Sequence, residues 1–121
     1  MGYRSDIAAA FYAADKKDFP VIKLWLMENF PVDTFHDNIQ WFDRGLIVQD
    51  SHTKWYDSYP EVAAFDEAAF KFRTMFCSDN ENTARGAYEF VRVGENYDDI
   101  ETEYSGDCDY MIDVVRTIQI R

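Results

Sequence analysis

Apolar residues recur at helical spacing near the middle of the chain. Steps of three and four residues separate the members of this stripe, which are Val62, Phe65, Ala69, Phe72 and Phe76. Such spacing is typical of an amphipathic helix laid against a sheet. Just before the stripe, Ser58 and Glu61 lie three apart with Pro60 between them, which is the pattern of a capping box. The sequence therefore predicts a helix that begins close to Ser58.

A second helix is predicted earlier in the chain. Asp18 can cap its start, and Pro20 falls in the first turn, where the missing N–H costs nothing. Asn29 and Phe30 precede Pro31, which disfavours a continued helix. We expect this helix to run from Asp18 to Asn29.

The other apolar segments have the length and composition of strands. Residues 6–13 suit a central strand that is buried on both faces, although four alanines leave a helix as the alternative. Residues 38–50 are predicted to form two short strands joined by a hairpin at residues 43–45. The remaining strand candidates are Ala87–Val93, Ile100–Tyr104 and Met111–Ile120.

This order, β-α-β-β-α-β followed by two more strands, predicts the fold class. We expect an α+β protein, a ferredoxin-like sandwich whose antiparallel sheet carries two helices on one face and an added C-terminal β-hairpin. No linker interrupts the chain, so residues 1–121 should form a single domain. An unpaired edge of such a sheet would allow a second copy to pair as a homodimer.

Composition limits the partners that the protein can have. Twelve basic residues against 23 acidic ones give a formal charge of −11 and a pI near 4.4, which repels nucleic-acid phosphates and anionic lipids. We therefore expect no direct binding to nucleic acid or membrane. Two cysteines far apart make no disulfide framework, and no apolar run is long enough to cross a bilayer. These features indicate a soluble, cytoplasmic protein.

Motifs of known chemistry are missing from the sequence. A calcium loop centred on Gly106 would need a glutamate where Ile112 stands, and no phosphate loop or metal-spaced Cys/His set occurs. We expect no cofactor, no resident metal and no catalytic residue. The enzymatic alternative is a small hydrolase that uses His52 with Asp50.

Negative charge is concentrated near the C-terminus. Residues 95–113 hold eight acids and no Lys or Arg. The residues predicted to contact a partner are Asp98, Asp99, Glu101, Glu103, Asp107 and Asp109. In a strand, Glu101 and Glu103 share one face at a spacing of about 6 to 7 Å, which resembles that of nucleic-acid phosphates. We hypothesise a surface that binds a basic protein; alternatively, Arg92 and Arg116 neutralise it from neighbouring strands.

Aromatic residues with polar tips suggest a second kind of site. The candidates for a small-ligand pocket are Trp41, Arg44, Lys54, Trp55 and Tyr56. The aromatic rings would hold a nucleotide-like ligand and a basic side chain would meet its anionic group. The alternative is that these rings seal the end of the sheet.

Three stretches of the chain resemble a group of small phage and prophage proteins that begin with the letters MGYRS. They are the start of the chain at residues 1–6, the segment WYDSYPEV at 55–62, and YEFVRVGE at 88–95 followed by DDIE at 98–101. The resemblance carries no catalytic residue across. It implies a viral accessory protein, acting in bacterial cytoplasm, of the kind that disables host proteins in anti-defence.

Overall fold

A computed structural model describes residues 3–77, 84–96 and 98–112. The elements follow the predicted order: β1 (Ser5–Ala13), α1 (Phe19–Asn29), β2 (Ile39–Trp41), β3 (Gly45–Thr53), α2 (Pro60–Phe76), β4 (Gly86–Gly94) and β5 (Ile100–Gly106). A short 3-10 turn precedes α1. The first segment is therefore a strand, and the helical alternative for it is excluded.

The five strands form one antiparallel sheet in the order β2-β3-β1-β4-β5. Its first four strands have the order of a ferredoxin-like sandwich, and β5 adds to the β4 edge, so the predicted α+β fold class is confirmed. The predicted last strand, Met111–Ile120, lies outside the described residues from residue 113 onward, and residues 111–112 are not in a strand. Arg116 falls in the same undescribed stretch.

Both helices pack on one face of the sheet around Phe11 of β1. The Phe11 ring contacts Phe30, which follows α1, and Phe65 and Phe72 of α2, with ring centroids 5.3 to 5.8 Å apart. Tyr88 of β4 completes the ring of neighbours at 5.0 Å. All five predicted stripe residues of α2 are buried, because the three-and-four spacing turns them toward this face.

The predicted helix caps are wrong in detail. In α2 the residue at the N-cap is Tyr59, because Pro60 occupies the first helical position, and no side chain caps the helix. Asp18 is the N-cap residue of α1, as predicted, but its side chain makes no capping hydrogen bond; its carboxylate accepts a hydrogen bond from Arg85 at 3.1 Å. Neither of the two described helices combines the length and the hydropathy that a bilayer crossing needs.

Candidate functional site

A cleft of about 500 Å³ opens on the helix-covered side of the sheet. Its walls come from α2, from β4 and β5, and from the loop between β3 and α2. The lining side chains that matter most for its chemistry are Trp55, Tyr56, Asp57, Asp66, Arg73 and Glu103. The cleft thus brings together members of both predicted sites, the acidic strand and the aromatic segment.

The register of β5 against β4 aims two glutamates into this cleft. Glu101 lies opposite Arg92, and Glu103 lies opposite Phe90. Directly paired residues of an antiparallel sheet point to the same face, and Phe90 belongs to the core beneath the helices. The prediction that Glu101 and Glu103 share one face of a strand is therefore confirmed.

At one end of the cleft, Arg92 is surrounded by oxygen acceptors. Its Nη2 donates to Asp99 Oδ1 at 2.9 Å, its Nη1 to Asp99 Oδ2 at 3.2 Å, and its Nε to Glu101 Oε1 at 3.2 Å. Nη1 also donates to Ser5 Oγ at 3.1 Å, and the Tyr3 hydroxyl donates to Asp99 at 2.5 Å. The Arg92 guanidinium, helped by Tyr3, holds the pKa of Asp99 below its ordinary value. We call these residues the Arg92 cluster.

Three other carboxylates of the cleft lack such a partner in the part of the chain that the structure describes. Across the described ranges, no Lys or Arg lies within ion-pair distance of Asp57, Asp66 or Glu103. Partial desolvation raises the pKa of Asp66, and the charges of Asp57, Glu103 and Glu101 raise it further, while Arg73 opposes them. We call Asp57, Asp66 and Glu103 the open carboxylates.

Arg73 also lines the cleft, and its guanidinium is turned toward an aromatic ring. Its guanidinium carbon is 5.7 Å from the centroid of Tyr88, and within the described residues no carboxylate comes within ion-pair distance of it. Arg73 therefore lowers the negative potential of the cleft without cancelling it.

The aromatic residues of the cleft belong partly to the core. Trp55 packs against Phe65 at 5.2 Å and against Phe90 at 6.2 Å between ring centroids. Tyr56 stands edge-on to Tyr59 at 5.2 Å, and its hydroxyl accepts a hydrogen bond from the backbone N–H of Tyr3. Trp55 therefore seals this end of the sheet, whereas Tyr56 forms part of the cleft wall.

The five residues predicted to form a small-ligand pocket are not brought together. Trp55 and Tyr56 follow the end of β3 at Thr53, while Trp41 and Arg44 lie at the other end of that nine-residue strand. Trp41 is half-buried in the core with the Lys23 ammonium 5.6 Å from its ring. Lys54 does not line the cleft.

The six predicted partner contacts do not form one array either. Asp98 and Asp107 are exposed, Asp99 and Glu101 belong to the Arg92 cluster, and Glu103 is an open carboxylate. Asp109 pairs with Arg44 near the opposite face of the sheet, where the Arg44 guanidinium also sits over the Tyr12 ring. The alternative, neutralisation by Arg92, thus holds for two of these six acids.

Sequence reasoning missed a buried carboxylate on the helix-free face of the sheet. Glu89 is fully buried and accepts hydrogen bonds from the Tyr12 hydroxyl and from Ile112 N, the latter at 3.3 Å. The Tyr12 hydroxyl in turn accepts from Asp109 N at 2.7 Å. Burial is the main reason that the pKa of Tyr12 is raised. This network anchors residues 109–112 on the sheet. A lone acid between Tyr88 and Phe90 in a strand was the available signal.

The remaining His, Cys, Asp and Glu side chains are the other candidates for catalysis or metal binding within the described ranges. In the parts of the chain that the structure describes, no group of three or more His, Cys, Asp or Glu side chains could hold a metal ion. No described hydrogen bond or ion pair joins His52 to Asp50; the His52 backbone N–H instead donates to Asp6 at 2.9 Å. Burial raises the pKa of the Cys77 thiol to about 12, which disfavours the reactive thiolate.

Comparison of the chain with protein-family models, with curated proteins and with solved structures gives no match.

Proposed function

We propose that this chain is a non-enzymatic binding protein that takes a basic segment of another protein into the cleft. One observation carries this proposal: carboxylates from three separate elements surround a single concavity and lack a cation partner among the described residues. Asp57 comes from the loop before α2, Asp66 from α2 and Glu103 from β5. A basic side chain that entered the cleft would relieve their mutual repulsion.

The charge of the whole molecule supports the same kind of partner. A net charge of −11 attracts basic proteins over distance and speeds their association, and salt weakens the attraction. Only the carboxylates of the cleft are proposed to mimic nucleic-acid phosphates. Asp99 and Glu101 form ion pairs with Arg92, and Asp109 forms an ion pair with Arg44. The resemblance to phage proteins implies that the partner is a bacterial host protein and that binding inhibits it.

Charge reversal of an open carboxylate tests the proposal. The chain with Glu103→Lys should lose capture of its partner from bacterial lysate, while its circular dichroism spectrum and its unfolding midpoint stay near those of the parent chain. Glu103 suits this test better than Glu101, since a lysine at 101 would also repel Arg92. Capture by the parent chain should weaken as salt increases.

A matched control separates the cleft from net charge. Glu28 is exposed on α1 and lies outside the cleft, so Glu28→Lys changes the net charge by the same amount as Glu103→Lys. Glu28→Lys should retain capture of the same protein. Equal loss in both variants, or no loss in either, would refute a binding site in the cleft.

A small organic ligand is the second candidate for the cleft. Its volume of about 500 Å³ falls within the range of roughly 300 to 1,000 Å³ that small-molecule pockets occupy. Its carboxylates disfavour a nucleotide, whose phosphates they would repel. A thermal-shift screen of nucleotides should therefore give a flat response, and a rise in unfolding temperature with any of them would favour this second candidate.

A further inference from the structure

We infer that the cleft holds the guanidinium group of an arginine side chain, which the basic partner supplies. The inference rests on the proposed function and names the chemical group that the open carboxylates bind. Among the described residues, these carboxylates are not part of a group of three or more that could hold a metal ion. It also distinguishes arginine from lysine.

The molecule already contains one guanidinium held in this manner. Arg92 is bound through both oxygens of Asp99 and through Glu101, and its side chain is only 18% exposed. Carboxylates on this part of the sheet can therefore surround a guanidinium, a planar group with five N–H donors. Two residues further along β5, the same strand face presents Glu103, about 6 to 7 Å from the Glu101 position.

At the Glu103 position the sequence supplies no internal cation. The cross-strand partner of Glu101 is Arg92, but the cross-strand partner of Glu103 is Phe90. The α2 residue that lines the cleft with a carboxylate is Asp66, whose pKa is raised by desolvation and by its acidic neighbours. A second guanidinium between Glu103 and Asp66 would repeat the arrangement of the first.

The walls of the cleft favour a guanidinium over an ammonium group. A guanidinium is planar and weakly hydrated, stacks on aromatic rings and binds both oxygens of a carboxylate through two parallel N–H groups. Tyr56, next to Asp57 in the chain, supplies an aromatic wall of the cleft. A lysine ammonium is a strongly hydrated point charge that would gain less from the ring. The cleft should thus prefer arginine.

Three short peptides test this preference directly. Acetylated and amidated Gly-Arg-Gly, Gly-Lys-Gly and Gly-citrulline-Gly differ only in the central side chain, and citrulline has the shape of arginine without its charge. Titration of ¹⁵N-labelled protein should move the amide signals of Asp66 and Glu103 with the arginine peptide. We expect affinity about tenfold higher than for the lysine peptide, a difference of about 1.4 kcal/mol, and no saturable shift with citrulline.

Three variants show whether the open carboxylates are responsible. Glu103→Gln and Asp66→Asn should each weaken the arginine peptide several-fold, whereas Asp109→Asn, on the other side of the sheet, should leave its affinity unchanged. Binding that survives both cleft variants would overturn the inference.

The outcomes separate this inference from the proposed function. Equal binding of lysine and arginine peptides overturns the guanidinium preference while the acidic cleft stands. No binding of either peptide, together with capture that still depends on Glu103, overturns the inference alone. Loss of that dependence removes the proposed function as well.

Discussion

The Arg92 cluster and the open carboxylates contain the same chemical groups, but the pKa values of their carboxylates are shifted in opposite directions. At the Arg92 cluster, a guanidinium lowers the pKa of Asp99. At the open carboxylates, desolvation and neighbouring acids raise the pKa of Asp66. In the Arg92 cluster the charge of Asp99 therefore favours the native state, whereas at the open carboxylates the charge of Asp66 disfavours it. On the proposed function, the Arg92 cluster serves folding and the open carboxylates serve binding, because titratable groups with perturbed pKa values are frequent at functional sites.

Removal of the cation from the Arg92 cluster should have the largest effect on stability. In Arg92→Met, Asp99 and Glu101 lose their shared partner, and three charge-assisted hydrogen bonds disappear. We expect a loss of about 2 to 3 kcal/mol in the free energy of unfolding, measured by urea denaturation.

Arg73→Met is the matched control for Arg92→Met. Arg73 has no carboxylate within ion-pair distance among the described residues and gains mainly from the Tyr88 ring, so its loss should cost only about 0.5 to 1 kcal/mol. Equal losses of stability in the two variants would contradict the contrast between the Arg92 cluster and the open carboxylates.

Gly94→Ala should break the Arg92 cluster by steric overlap. A Cβ at residue 94 would overlap with the Asp99 carboxylate and the Tyr3 hydroxyl. We expect a loss of about 1 to 3 kcal/mol in the free energy of unfolding, as for other overpacked sites. Asp99→Ala should remove part of this penalty when the two changes are combined, because only the overlap with the Tyr3 hydroxyl then remains. Simple additivity of their effects in a double-mutant cycle would show that residue 94 acts independently of the cluster.

Low pH should remove the contribution of Asp99 to the free energy of unfolding. Because the native-state pKa of Asp99 is lowered from 3.8, its contribution to stability is present above the unfolded pKa and is lost as pH falls through the native pKa. Asp99→Asn should therefore reduce the stability difference between pH 7 and pH 3. The check is a series of urea unfolding midpoints across this range, and an unchanged pH profile would show that Arg92 does not hold this carboxylate.

Sequence patterns predicted the fold better than the site. The stripe from Val62 to Phe76 and the alternation of Glu101 and Glu103 fix which way side chains face, and both predictions are confirmed. The helix start was misplaced because Pro60 moves the N-cap to Tyr59. Local periodicity determines orientation, so such features can be predicted from one sequence.

The cleft itself could not be predicted, because it depends on which elements become neighbours. Asp66 and Arg73 lie seven residues apart on α2, on either side of buried Ala69, which places both beside the apolar stripe. The spacing of Asp66 and Arg73 does not indicate that β5 lies next to them. For the same reason Asp99 and Asp109 are close in sequence yet pair with different arginines at different ends of the sheet.

Asp66→Asn should have the smallest effect on stability and the opposite sign. A raised native-state pKa means that the contribution of Asp66 is fully present below its unfolded value of 3.8 and is lost as pH rises through the native value. At pH 7 the charged form therefore costs a little stability. Because Asp66 is exposed and water screens its charge, the asparagine variant should gain only about 0.2 kcal/mol, a gain that vanishes toward pH 3. The measurement is the same urea series, with Asp99→Asn alongside. If the variant is more stable yet binds the arginine peptide more weakly, the charge of Asp66 is unfavourable for folding and needed for binding. A loss of stability at pH 7 would instead show that Asp66 is a structural residue like Asp99.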